Sequence, residues 1–201
     1  MHAEKYLEEP EILSDYQHRV RVSRWRGNES IGLRMDMKKK LFCIACALLF
    51  SLPGQAFANI IHADKVVVFK KKRLLLLVKN GEIVRRYRVA IGRNPVGTKT
   101  RQGDNRTPEG EYVLDRRNPS SRFYRSIHIS YPNSADINRA QQRGVSPGSD
   151  IMIHGLPRNY EDVGELHTVT DWTKGCIAVT NAEIDEIWSF VPDGTPIEIR
   201  P

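Results

Sequence analysis

Cys176 stands after a glycine in the run Asp171-Trp172-Thr173-Lys174-Gly175-Cys176-Ile177, and His154 lies 22 residues upstream in Met152-Ile153-His154-Gly155. A thiol attacks a carbonyl only as the thiolate, and a free cysteine near pKa 8.5 is mostly protonated at neutral pH. An imidazole within hydrogen-bond reach supplies the base, or forms a thiolate–imidazolium pair with it. His154 and His167 are the two candidates near in sequence; His154 is preferred because it ends a strand-like segment, whereas His167 lies in a loop-like stretch. Gly155 is expected to leave room for a substrate. Gly175 lets the backbone approach a reacting carbonyl, and the N–H groups of Gly175 and Cys176 are placed to face a developing oxyanion, where one donor is worth roughly 3 kcal/mol. Trp172 lines a cleft or packs beneath the turn. The competing reading of a lone cysteine is an inert buried thiol. One cysteine with scattered histidines has no zinc-ligand spacing.

The compartment bears on that thiol. Lys38 to Lys40, the apolar stretch Leu41 to Leu52 and then Ala56-Phe57-Ala58 have the form of a cleavable export signal. The apolar stretch is shorter than the ~20 residues needed to cross a bilayer. Residues 37–58 are therefore expected to be a signal peptide cut after Ala58, residues 1–36 an extension upstream of the working start, and residues 59–201 the exported domain. A lipid-modified Cys46 is the weaker alternative, because Cys43-Ile44-Ala45 matches the usual lead-in poorly. Beyond Ala58 only Cys176 remains of the three cysteines, which excludes a disulfide within that domain. The whole chain carries 31 Lys and Arg against 24 Asp and Glu. Nine basic and seven acidic residues fall before residue 59, so the exported part keeps a charge of +5. That excess suits an anionic polymer or a membrane surface, while export argues against nucleic acid. The basic runs Lys70 to Arg73 and Arg85 to Arg88 read as solvated sheet faces.

The elements that position these residues are mostly strands. Lys65 to Phe69 and Arg73 to Lys79 are rich in Val and Leu. Asn80-Gly81 is a type I′ turn signal, and Glu82 to Ile91 resumes the strand. A polar loop spans 92–107, and Thr107-Pro108-Glu109-Gly110 turns into a strand at Glu111 to Leu114. Ser126 to Ser130, Asp150 to His154 and Thr195 to Ile199 alternate as strands. Ser134 to Arg143 is helical, and residues 156–173 are irregular. Thr180 with Glu183 forms a capping box for a helix whose Ile184, Ile187, Trp188 and Val191 share one face. The domain is predicted to be mostly β with one or two short helices.

Three segments in this order, Thr107-Pro108-Glu109-Gly110, Met152-Ile153-His154-Gly155 and Thr173-Lys174-Gly175-Cys176-Ile177, resemble the L,D-transpeptidase catalytic domain (YkuD-type) over roughly Lys65 to Arg200. The version Asp-Trp-Thr-x-Gly-Cys-Ile-Ala-Val-Thr-Asn is similar to an exported proteobacterial subgroup that includes enzymes detaching lipoprotein from the wall. The resemblance implies a YkuD-like β-sandwich or barrel in the periplasm, without metal or organic cofactor. It implies that Cys176 attacks the carbonyl before the terminal D-alanine of a peptidoglycan tetrapeptide stem, with His154 moving the proton and Gly175 at the oxyanion. The thioester then passes to a second stem, a lipoprotein lysine or water. Gly155, Trp172, Thr173 and Lys174 are the expected substrate contacts. The chain departs from the family pattern at Lys174, where many members have His, and at Ala178, where many have Arg. The interval from His154 to Cys176 is also longer than the commonest one. These departures bear on the acceptor, leaving hydrolysis or a non-catalytic wall-binding module as alternatives to crosslinking.

Overall fold

The computed structural model describes residues 62–201. The expected extension, export signal and cleavage site fall outside the described residues. Eight strands make one mixed sheet: β1 (Lys65–Phe69), β2 (Leu74–Lys79), β3 (Glu82–Arg88), β4 (Gly110–Ser121), β5 (Tyr124–Ile129), β6 (Met152–His154), β7 (Ile177–Ala178) and β8 (Thr195–Arg200). Their order is β3-β2-β1-β8-β4-β5-β6-β7. Beyond β3 the chain returns to the opposite edge, where Ala90 bridges Ala178 and Gly92 bridges Thr173. The sheet thus curls into a half-barrel, with its two ends meeting beside Cys176. Helices α1 (Ser134–Gln141) and α2 (Asn181–Phe190) complete the domain, together with a 3-10 segment, Arg158–Val169, interrupted at Tyr160 and Gly164.

Strand alternation builds the core. Val66 and Val68, Leu75 and Leu77, Tyr112 and Leu114, Ile127 and Ile129, and Ile197 and Ile199 all face inward. Ile184, Ile187 and Val191 of the α2 face cover them as expected. Trp188 sits at the margin, with the guanidinium groups of Arg117 and Arg125 over its ring at 5.0 and 5.5 Å. Asn80 and Gly81 have φ of 51° and 81°, the left-handed pair a type I′ turn requires. The capping box at α2 forms, with Thr180 accepting from the Glu183 amide and Glu183 accepting from the Thr180 amide.

Two expectations are corrected. β4 runs to Ser121, well past Leu114, because Arg116 to Ser121 pair with β5 through irregular register steps despite Pro119. Lys70 is not on a solvated face: it is 1% exposed, and its ammonium donates to Gly97 O, Thr107 O and Glu109 Oε1. Thr107 Oγ1 accepts from the Gly92 amide, and the Glu109 amide donates to Thr98 Oγ1. The Thr107–Gly110 segment therefore serves as a clamp that fixes the 92–107 loop against the sheet.

Candidate active site

Register brings His154 beside the strand that Cys176 immediately precedes. β6 and β7 pair in parallel, Ile153 opposite Ile177 and His154 opposite Ala178. Ile153 and Ile177 point into the core. Side chains alternate along a strand, so His154 projects from the other face, and continuing the alternation one residue back from β7 gives Cys176 that same face. With strands about 4.8 Å apart and a rise of about 3.3 Å per residue, their Cα atoms lie roughly 8 Å apart.

The turn that presents Cys176 is tied down from three sides. Arg73 grips Asp171 through two guanidinium nitrogens, Nε to Oδ1 at 3.0 Å and Nη2 to Oδ2 at 2.5 Å, and Asp171 Oδ1 also accepts from the Ile91 amide. Thr173 is buried; its hydroxyl donates to Cys176 O at 2.7 Å and accepts from Gly175 N at 3.1 Å. Gly175 has φ +132°, and a Cβ there would sit 2.7 Å from Arg106 O. Only glycine fits that conformation and that contact.

The surroundings of several expected site residues bear on their role. Thr173 braces the turn, with its hydroxyl committed to backbone. The Gly175 N–H is engaged by the Thr173 hydroxyl. Gly155 offers no room: it is buried, and a Cβ there would lie 2.5 Å from Asn181 Oδ1, which accepts from the Leu156 amide. Lys174 is exposed. Trp172 lines a cleft of about 410 Å³ with residues of the 158–169 segment.

The aromatic surroundings of His154 were not legible in the sequence. Phe123, at the tip of the β4–β5 hairpin, stacks on the imidazole with centroids 4.3 Å apart, and Trp172 meets it edge-on at 5.7 Å. His154 is 2% exposed. Its Nδ1 lies 2.7 Å from Gly155 O. A carbonyl only accepts, so Nδ1 carries the proton and Nε2 the lone pair. Burial lowers the pKa of His154 to about 4, against the partly opposing hydrogen bond to Gly155. Burial likewise pushes the Cys176 thiol up, opposed by a hydrogen bond from the Met152 amide. The sulfur also donates to Asp150 O at 3.5 Å. Both shifts favour the uncharged forms, thiol and imidazole. Desolvation penalises both ions, and among the described residues the sulfur's hydrogen-bond partners are the Asp150 carbonyl and the Met152 amide.

His167, the second histidine considered, is also buried, and among the described residues neither ring nitrogen has a hydrogen-bond partner. Such an unpaired group costs about 1–3 kcal/mol. Among the described residues no three His, Cys, Asp or Glu side chains gather as a metal-binding group, and no helix is long and apolar enough to cross a membrane.

Comparison with known proteins places this arrangement. Residues 63–199 match the L,D-transpeptidase catalytic domain, YkuD. YafK of Escherichia coli K12, a candidate L,D-transpeptidase, is 36% identical over 132 residues, covering 63% of this chain and 46% of YafK. The same figures hold for YafK of Escherichia coli O157:H7. The crystal structure of the helical cell shape determining protein Pgp2 from Campylobacter jejuni superposes with a TM-score of 0.51 at 26% identity, covering 67% of this chain and 46% of that one. The chain spans about half the length of these relatives. With a match across nearly all the described residues, the chain belongs to the L,D-transpeptidase catalytic domain (YkuD) family.

Proposed function

We propose that the domain is a cysteine-dependent acyltransferase of the periplasmic cell wall, acting on peptidoglycan tetrapeptide stems. The observation that supports this reading is the parallel pairing of β6 and β7, which sets His154 opposite Ala178, two residues after Cys176. When a stem carbonyl reaches the sulfur, the thiol proton passes to His154 Nε2 as the S–C bond forms. The oxyanion is met by the Cys176 N–H. Collapse expels D-alanine, whose amine takes the proton from His154, and a thioester remains. An amine or water then attacks the thioester, His154 takes the incoming proton, and the thiol is restored.

The neutral resting pair fits this sequence, because a base with its lone pair available and a thiol with its proton are the reactants of the first step. It also guards the thiol of an exported protein against oxidation, which follows thiolate character. The raised thiol pKa equally favours a non-catalytic wall-binding module, as do the departures at Lys174 and Ala178. Incubating the full chain with a tetrapeptide stem and measuring free D-alanine decides between them. Release that falls at least 10²-fold in Cys176→Ala and in His154→Gln supports the enzyme. Retained binding to sacculi without release supports the module.

A further inference from the structure

Lys99 and Asp104 form an ion pair that the chemistry above does not use. Both are buried, with 4% and 7% of their side chains exposed. Lys99 Nζ donates to Asp104 Oδ1 at 2.9 Å and to Arg101 O at 3.0 Å. Asp104 also accepts from the backbone N–H groups of Thr100, Arg101 and Arg106. Burial pushes its carboxyl up, but Lys99 and those amides prevail and hold it below its ordinary range. The pair closes residues 99–106 into a compact turn around an ammonium. Stability alone is a poor reason for it, because packed apolar side chains of similar volume often serve as well as a buried ion pair.

That turn is pressed against both flanks of Cys176. The Gln102 amide donates to Ser146 O at 2.7 Å, and a Cβ on Gly148 would meet Gln102 Cα at 3.3 Å. Two residues further on, Asp150 O accepts from the Cys176 sulfur. On the other flank, Arg106 O is the atom that a Cβ on Gly175 would strike. Burial raises the thiol pKa and the Met152 amide lowers it; of the side-chain charges that act on it, Asp150 raises it further and Lys99 lowers it. His154, on the strand paired with β7, is the remaining titratable neighbour. The Asp104 charge falls instead on Tyr131, whose phenol is pushed up by burial and by Asp136 and Asp104. The pair thus presents its positive end to the sulfur.

We propose that Lys99, aligned by Asp104, is a positioning residue for the nucleophile, its ammonium steadying the Cys176 sulfur whenever that atom carries negative charge. The inference rests on the acyl-transfer reading. Charge reaches the sulfur twice: when the S–H proton passes to His154, and when the C–S bond of the thioester breaks and leaves its electron pair on sulfur. His154 then returns a proton to the sulfur, and no bond to Lys99 forms or breaks. A charge fixed in advance in a dry site needs no reorganisation when the thiolate appears. Asp104 supplies the partner without which a buried ammonium would be costly.

Iodoacetamide alkylation of the full chain between pH 6.5 and 9.5, read by mass spectrometry on the peptide that carries Cys176, tests the charge without turnover. At pH 7.5 the rate is expected to fall at least about threefold in Lys99→Met, because the rate follows the thiolate fraction. Asp104→Asn, which spares the ammonium, is expected to match or exceed wild type. A pair that merely closed the loop would move both variants the same way, since either replacement breaks it. The double variant, Lys99→Met with Asp104→Asn, regains Tm over Lys99→Met because no buried charge is left unpaired, yet it stays slower than wild type in alkylation. With tetrapeptide, Lys99→Met lowers kcat for D-alanine release about tenfold while KM stays within about threefold. A Lys99→Met variant or a double variant alkylated as fast as wild type, or an Asp104→Asn variant slowed as much as Lys99→Met, overturns the role of Lys99. The expected alkylation pattern in a wild type that releases no D-alanine overturns instead the acyl-transfer reading and leaves Lys99 as the charge that sets the thiol's reactivity.

Discussion

Phe123 stacks face to face on His154, 4.3 Å between centroids and 28° between planes, so a hairpin tip roofs the imidazole. Roofing excludes water from the ring, and that dryness is the leading cause of its lowered pKa. Phe123→Ala should therefore raise the His154 pKa from about 4 toward 6.5, and move the acid limb of activity upward with it. NMR titration of the imidazole carbon-bound protons reads the change. The stack itself is worth about 0.5–1.5 kcal/mol beyond its buried area, so a loss of at least that size in urea unfolding is expected.

The same histidine makes folding acid-sensitive. Its folded pKa lies near 4 and its unfolded value near 6.5, so the unfolded chain takes up the proton first. Stability is fully present above about 6.5 and is lost as pH falls toward 4. The loss is about 3 kcal/mol, because each tenfold difference in proton affinity between the two states is worth about 1.36 kcal/mol. His167, also depressed by burial, acts in the same direction. Urea melts at pH 7 and pH 4.5 should differ by roughly this amount, and His154→Gln should flatten the difference.

Gly175→Ala combines a forbidden backbone with a clash on Arg106 O at 2.7 Å. A destabilisation of about 2 kcal/mol or more is expected, because backbone cannot yield as a flexible side chain does. D-alanine release should fall at least 10²-fold, since Cys176 N–H is displaced with the turn.

Adjacent positions should behave oppositely. Thr173→Val removes the hydroxyl that bonds Cys176 O and Gly175 N, leaving buried groups unpaired at about 1–3 kcal/mol. Lys174→Ala, on an exposed side chain, should stay within about 0.5 kcal/mol and change release less than threefold. Thermal unfolding of the pair checks both.

Local patterns were legible where local chemistry decides. The Asn80-Gly81 turn, the Thr180–Glu183 capping box and the apolar face of α2 each depend on residues within a short stretch of chain. Long-range partners were not. Nothing near Lys70 in the chain announces Gly97, Thr107 and Glu109, so a basic run that looks solvated hides a buried ammonium. Phe123 lies 31 residues before His154 and reaches it only because β4 continues past Pro119. Gly155 and Thr173 sit in motif positions that suggest ligand contact, yet the space beside one is filled by Asn181 and the hydroxyl of the other is spent on backbone. The thiol and the imidazole stand out by residue type, but the burial that shifts both toward their uncharged forms is not something spacing reports.

Intact-protein mass spectrometry of the full chain after mixing with a tetrapeptide stem tests the central claim most directly. The account predicts a thioester adduct on Cys176 that lacks one D-alanine, discharges on adding an amine, and fails to accumulate in His154→Gln. An unmodified Cys176 in a protein that still releases D-alanine, or a Cys176→Ala variant as active as its parent, would contradict it.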